Sequence, residues 1–557
     1  MRTRLSLLTL VALCASTVSF ARSPEQVVVA AHPLAAEAGL EILQRGGNAM
    51  DAAVAVQATL TFVEPHESGI GGGGFLLFRD RATGAMSFHD GRETAPAAAT
   101  PERFMAAGRW PLPFPLAVVS GRAVGVPGLV PMLYAAHEAH GRLPWKDLFE
   151  PAITLAETGA PLPDRMQRQL KRDPTLRLFA GTRPLGHAAR QDDPQLRNPE
   201  LADVLRRIAT EGPAALNTGV LANNLVAAAG RGGWLPGDLT VEDLASYRPQ
   251  QREPVCGRYR RWTLCSAPPP SSGGIALLQM LGVLEHFDLP AMAPDSPATV
   301  HLIAEASRLA FADRQRHLGD PDFVAVPTAG LIDPDYLAER ARLINVERAM
   351  GRPPPGIPGV TPQIEDPPPL EPDPEAGTTH VSIIDAEGNA VALTSSIEAP
   401  FGSRRAVNGY LLNSQLTDFD FAPFRDGQAV ANAVAPGKRP RSSMAPTFVF
   451  DEDDELVLVI GSRGGSRIIG YVLKTLIGVL DWELPLAEAV ALPNVLHRGQ
   501  QLEIEAGTVL VDRVRELEAL GHRVDVRVLE SGLHGIERVA GGWRGAADPR
   551  MEGRAVP

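Results

Sequence analysis

The sequence predicts an α/β protein, and three observations carry that prediction. Between Glu25 and about Leu343, alanine-rich stretches with helical spacing, such as PLAAEAGLEILQRGGNAMDAAVAVQATLTFV, alternate with short strand-like runs such as GFLLFRD and AMSFHD. After Thr378 strand patterns dominate: HVSIID, NAVALTSS, TFVFD and LVLVIG, punctuated by Glu387-Gly388-Asn389 and by glycines 461, 464 and 465. Helices are expected again around Ile468–Leu480 and Leu486–Ala491. Between the two parts, Arg352 to Pro374 holds ten prolines and few bulky apolar residues. Proline lacks an N–H and clashes inside a helix, so this tract is read as an exposed connection and the natural boundary. No internal repeat or heptad is present.

At 557 residues the chain is larger than one small core requires, and its 44% hydrophobic content supports an extensive interior. A net charge of −12 argues against general attraction to nucleic acid or anionic membrane, so an anionic substrate must be held by local groups. The N-terminus pairs basic MRTR with apolar LSLLTLVALCASTV, which is shorter than the ~20 residues of a membrane span. This reads as a secretory signal, residues 1–21, cleaved after Ala21, where Ser19 and Ala21 are the small residues the cut needs. No later segment is long enough to anchor the protein, so the expected location is periplasmic, or secreted.

Cys14 falls in the signal, and Cys256 and Cys265 flank GRYRRWTL. A two-residue turn at Arg260-Arg261 would set them opposite each other, as a local disulfide in an oxidising compartment or as two buried thiols. No neighbouring cluster of cysteines or histidines points to zinc, and no cofactor is expected.

Thr378-Thr379-His380 follows Gly377 and opens a strand. A threonine hydroxyl is a poor nucleophile at neutral pH, and a free amine on the same residue is one way to activate it. Cutting the Gly377–Thr378 bond would give Thr378 both groups, although the tripeptide alone also reads as a loop entering a strand. Two glycine clusters differ in meaning. Gly71 to Gly74 precede a strand instead of following one, and no GK[ST] is present, which disfavours a nucleotide site. GSRGGSRIIG leaves a strand and enters a helix, so the Gly464 and Gly465 N–H groups could meet one developing negative charge; a plain tight turn is the alternative.

Together these segments resemble the γ-glutamyltransferase (γ-glutamyltranspeptidase) family of N-terminal-nucleophile hydrolases. GGNAMDAAVA, GIGGGGFLLF, DGRETAPAAAT, APPPSSGGIALLQML, GTTHVSIIDAEGNAVALTSS, GYLLNSQLTDF, NAVAPGKRPRSSMAPTFVF, GSRGGSRII and AADPR match family-like blocks in order over nearly the whole mature chain. The resemblance implies a four-layer αββα sandwich made as one precursor that cuts itself between Gly377 and Thr378. Residues 22–377 would form the large subunit and 378–557 the small, catalytic one, the two remaining associated.

It further implies a γ-glutamyl hydrolase and transferase acting on glutathione and other γ-glutamyl compounds through an ester on Thr378, with amino acids, peptides or water as acceptors. The Gly464 and Gly465 amides would hold the oxyanion. Ser396 stands where the family carries a threonine whose hydroxyl bonds the nucleophile's amine. Arg92, Ser442 and Ser443 match positions that hold the donor carboxylate, and a guanidinium fork suits bidentate binding. Gln415 and Asp418 match positions facing the donor ammonium.

Three departures stand out. Glu398 replaces the usual asparagine beside the ammonium, Arg463 replaces the proline before the glycine pair, and the stretch from Asp418 to Asn432 is shorter than a full lid loop. A shorter lid would admit bulkier donors and more water. A glutaryl-cephalosporin acylase-like or other amide hydrolase of this fold is therefore the alternative. A non-catalytic binding protein is the third reading, opposed by the presence of Thr378.

Overall fold

The computed structural model describes residues 25–231, 235–359, 377–425 and 427–557. The expected signal, residues 1–21, and most of the proline tract lie outside them. Thirteen strands form two antiparallel sheets. In chain order they are β1 (Val27–Ala30), β2 (Gly73–Arg79), β3 (Met86–Asp90), β4 (Gln250–Arg252), β5 (Val255–Tyr259), β6 (Trp262–Ser266), β7 (Gly377–Ile384), β8 (Ala390–Glu398), β9 (Thr447–Phe450), β10 (Leu456–Gly461), β11 (His534–Val539), β12 (Gly542–Ala547) and β13 (Arg554–Val556). The first sheet runs β13-β1-β7-β8-β2-β3-β4 and the second β12-β11-β10-β9-β6-β5.

Alternation along the strands makes the layers. Val27, Val29, Phe75, Leu77 and Ala392 face the second sheet, in a core shared with Leu264, Phe448 and Ile460. Their neighbours Val28, Ala30, Leu76, Phe78 and Leu393 face the opposite way, against helices α1 (Pro33–Gln44) and α2 (Ala49–Val63). Three further helices, α3 (Gly273–Leu284), α4 (Pro297–His317) and α5 (Ile468–Leu480), join the first of these cores. The result is the αββα sandwich. Every residue of α2 is buried, and its start is fixed by a capping box in which Asn48 and Asp51 each accept the other's backbone N–H.

The glycine run before β2 is a matter of space. A Cβ on Gly72 would lie 2.1 Å from the Ser396 carbonyl oxygen, and one on Gly74 would lie 2.6 Å from that of Thr394. Only glycine lets this segment approach β8 so closely. The β5–β6 hairpin has the predicted two-residue turn, Cys256 pairs with Cys265, and the two form a disulfide.

The proline tract corrects one expectation in part, because Arg352 is exposed but the following segment is held at Pro354–Gly356. Gly356 N–H donates to Asp313 Oδ1 at 2.7 Å, Arg340 donates to the Pro354 carbonyl at 3.3 Å, and Pro355 and Gly356 are buried. Upstream, Arg308 donates to His522 Nδ1 at 3.2 Å, so His522 Nε2 donates to His301 Nδ1 at 2.8 Å and His301 Nε2 donates to the Asn345 carbonyl at 2.8 Å. The His301–Glu305–His522 group thus closes as a hydrogen-bond chain in which every ring nitrogen is engaged, and Glu305 takes the Met350 N–H at 2.7 Å. Among the described residues no helix is long and apolar enough to cross a membrane.

Sheet order also explains how two products of a cut at Gly377–Thr378 would stay together. Strands β7 and β8 lie between β1 and β2, and β9 pairs with β6. We expect the two chains to co-purify without any covalent link and to part only on denaturation. Recovery of a separate folded small chain under native conditions would count against this.

Candidate active site

Thr378 is the second residue of β7, in the centre of the first sheet, and is 2% exposed. The pairing with β8 shifts at this point: Gly377 lies opposite Glu398, and Thr378 opposite Ser396. The bulge falls on the bond read as scissile and turns two hydroxyls toward each other. Thr378 Oγ1 donates to Ser396 Oγ at 3.3 Å, and Ser396 Oγ donates to the Gly377 carbonyl at 2.5 Å. Ser396 Oγ also accepts the Glu398 N–H at 2.8 Å. One serine hydroxyl therefore accepts from the Thr378 hydroxyl while donating to the carbonyl beside it. Gly377 is required sterically: a Cβ there would lie 2.8 Å from the His66 carbonyl oxygen.

The Thr378 N–H donates to Glu67 Oε2 at 2.9 Å. Glu67 is enclosed by Arg165, which donates to Oε1, and by Arg463, whose Nε lies 3.1 Å from Oε2. Burial pushes the Glu67 carboxyl up, but the two guanidiniums outweigh it and hold it at about 2. Neither Glu67 nor Arg165 was singled out from sequence. They lie far apart along the chain, and no local motif marks either.

A cavity of about 410 Å³ opens on Thr378. It is lined by every residue of the predicted set that follows: Ser396, Glu398, Gln415, Asp418, Arg92, Ser442, Ser443 and Gly465. Phe114, Phe421 and Phe424 supply an apolar wall, and Phe421 stacks on Phe104 with ring centroids 4.6 Å apart. Gly464 does not line the cavity; it precedes Gly465 in the turn from β10 into α5. Both sit at positive φ, +125° and +57°. A Cβ on Gly464 would also meet the Tyr471 ring at 2.7 Å, so the turn demands glycine for two reasons.

The residues expected at the donor end lie together, with one difference. Arg92 is fully buried, and its fork is already engaged: Nε donates to the Pro440 carbonyl at 3.1 Å, and Nη2 donates to Asp418 Oδ2 at 2.5 Å and to the Arg441 carbonyl at 3.0 Å. Only Nη1 has no hydrogen-bond partner among the described residues. A freely presented bidentate fork is thus replaced by an Arg92–Asp418 pair whose opposite charges match the two ends of an α-amino acid. Gln415 Nε2 also donates to Asp418 Oδ2, at 2.9 Å. Arg314 on α4 was missed from sequence. It donates to Ser443 Oγ at 2.9 Å and to Ser272 Oγ at 2.8 Å, and Ser272 in turn donates to the Ser442 carbonyl at 2.6 Å. The PPPSSGG block is therefore the support of the serine pair.

Glu398 adopts a positive φ of 77° and takes a 2.6 Å hydrogen bond from Ser414 Oγ. Burial and then the nearby Asp418 charge raise its carboxyl to about 8, so it is protonated near neutral pH. A bound ammonium favours the ionised form. L-Glutamate should therefore bind several-fold more tightly as pH rises from 6.5 to 8, glutarate should not, and Glu398→Gln should abolish the difference. Inhibition constants for the two acids across this range check it; an identical glutamate profile in the variant would remove Glu398 from the expected ammonium site.

Known proteins resemble this chain over nearly its whole length. The family model described as Gamma-glutamyltranspeptidase matches residues 35–557. A glutathione hydrolase proenzyme of Pseudomonas aeruginosa is 38% identical, covering 97% of this chain and 96% of its own. An acylase ACY 1 proenzyme of a Pseudomonas species (strain SE83) is 36% identical over 94% and 89% of the two chains. The crystal structure of a cephalosporin acylase from Bacillus halodurans superimposes with a TM-score of 0.83 at 27% identity, over 99% of each chain. With nearly the full length matched and the Thr378 strand, serine pair and glycine turn gathered at one cavity, the chain belongs to the γ-glutamyltranspeptidase family of N-terminal-nucleophile hydrolases.

Proposed function

We propose that this protein is a self-processing γ-glutamyl hydrolase and transferase that acts on glutathione and related γ-glutamyl compounds. The observation that carries the reading is the Thr378–Ser396–Gly377 hydrogen-bond chain, opening on a cavity that also holds a charge-matched Arg92–Asp418 pair. In the precursor, Thr378 Oγ attacks the Gly377 carbonyl carbon. The C–N bond breaks, the nitrogen gains a proton, and water hydrolyses the ester so formed. The freed α-amine, with an ordinary pKa of roughly 7.7–8.0, is neutral in about a tenth of molecules at pH 7 and in about half at pH 8, and that fraction serves as base. The same hydroxyl then takes the γ-glutamyl group from the donor, and water or an amine releases it.

Substrate discrimination rests on the α-amino acid end. Arg92, Ser442 and Ser443 receive the carboxylate, and Asp418, Gln415 and Glu398 face the ammonium. A glutaryl amide hydrolase is the second reading, favoured by the fold match to a cephalosporin acylase and by an uncharged Glu398. Turnover of γ-glutamyl against glutaryl anilides by the purified protein separates the two. Preference for the glutaryl anilide would overturn the first. The apolar N-terminal stretch and the Cys256–Cys265 bridge support a periplasmic or secreted location.

Arg92→Lys tests the donor end. Lysine retains a charge but cannot reach Asp418 and the carbonyls of Pro440 and Arg441 together. kcat/KM for γ-glutamyl donors should fall by about 10²-fold, mostly through KM, whereas cutting at Thr378 should proceed, since it involves no donor. Parental donor kinetics in the variant would take Arg92 out of the binding site.

A further inference from the structure

We propose that Glu67, clamped by Arg165 and Arg463, is a positioning residue for the α-amine of Thr378: it orients that nitrogen as base while the two arginines cancel its tendency to keep the amine protonated. The inference rests on the reading that Thr378 becomes an N-terminus. The nitrogen already donates to Glu67 Oε2 at 2.9 Å in the uncut chain. After cleavage one amine hydrogen retains that contact, which restricts rotation about the Cα–N bond and leaves the lone pair for the proton on Oγ.

An isolated carboxylate at that distance would stabilise the ammonium form and so remove the base. The surroundings prevent this. From the segment before β2 come Glu64, His66 and Glu67. Burial and the Glu67 charge raise Glu64 to about 8, and burial lowers His66 to about 3, so both are neutral near pH 7. From the side of the large chain comes Arg165, with Glu530 Oε2 at 3.3 Å from its Nε and Glu552 accepting its backbone N–H at 2.7 Å. The loop after β10 contributes Arg463, within 3.1 Å of Glu67 Oε2. From β8 comes Glu398, neutral near pH 7, with Asp418 and Arg92 paired beyond it. Among the described residues, the charged groups in direct contact with Glu67 are thus two guanidiniums. Arg463 occupies the position where the resemblance leads one to expect proline, and its partner Glu67 explains the exchange: the two work as a unit across the nucleophile.

The test is the acid limb of kcat/KM against pH, which reports the base in the free enzyme. Arg463→Gln leaves the carboxylate under-compensated and should move the limb up by about one pH unit, whereas Glu67→Gln leaves the guanidiniums uncompensated and should move it down. The double variant should fall between them, and Arg463→Lys, which keeps the charge, should match the parent. Glu67→Ala should lower kcat by about 10²-fold at the plateau with little change in KM, because the amine loses its orientation. Limbs that stay still, or that move together, overturn the proposal. Should Glu67→Gln be obtained uncut, Arg463→Gln and Arg463→Lys carry the test, and identical limbs in both overturn it. N-terminal sequencing of the parental small chain is read first. A start other than Thr378 defeats the underlying reading, and a Thr378 start with unmoved limbs defeats only the positioning role.

Discussion

Thr378→Ala is expected to leave a single chain of nearly the precursor's length on a denaturing gel and to abolish turnover. The parent should instead yield a second chain beginning Thr-Thr-His. In the proposed mechanism one oxygen atom serves both reactions, since the hydroxyl that attacks Gly377 in the precursor is the hydroxyl that later carries the acyl group. Its loss therefore removes processing and catalysis together, not partially. The fold should survive. Thr378 is held in β7 by backbone pairing to β8 and by its N–H on Glu67, and neither contact uses the hydroxyl. Thermal unfolding close to the parental value would show this, and Thr378→Ser should restore cutting by returning the oxygen. An uncut Thr378→Ala protein that still hydrolyses γ-glutamyl anilide would end the N-terminal-nucleophile mechanism for this chain.

Much of the site was legible because its parts sit in local patterns. The strand after Gly377, the β8 strand with Ser396, the NSQLTDF turn and the glycine turn after LVLVIG each announce themselves within about ten residues, and antiparallel pairing brings Ser396 opposite Thr378. The disulfide was legible for the same reason, because a two-residue turn fixes the register of a hairpin. What escaped were contacts made only by the packing of layers. Arg165 reaches Glu67 from a helix far along the chain, and Arg314 reaches Ser443 from α4. Arg92 illustrates a subtler limit. Its placement was expected, but its fork is held by Asp418 and by two carbonyls of the segment before Ser442, which no spacing rule reveals. The buried Pro355-Gly356 step of the proline tract is similar: composition speaks for exposure, while Asp313, His317 and Arg340 supply the polar partners that allow burial.

Ser396→Ala should slow self-cutting by about 10²–10³-fold while leaving the chain folded, the cost typical of removing one donor to a developing oxyanion. In the precursor Ser396 Oγ donates to the Gly377 carbonyl and accepts from Thr378 Oγ1, so its removal both depolarises the electrophile and leaves the nucleophile without its acceptor. The Glu398 N–H loses its acceptor as well, a cost of about 1–3 kcal/mol for a buried donor left unpaired. That charge to stability separates the two consequences: unfolding temperature should drop modestly, whereas cutting should nearly stop. Ser396→Thr restores the same oxygen and adds only the methyl expected at this position in the family, so it should cut at a rate near the parent. A time course of purified precursor on a denaturing gel, run beside thermal unfolding, reads both effects. If Ser396→Ala cuts at the parental rate, Gly377 is being polarised by another group, and the glycine turn at Gly464 and Gly465 becomes the first place to look for it. If Ser396→Thr fails while remaining folded, the site has adapted to the smaller serine at this position.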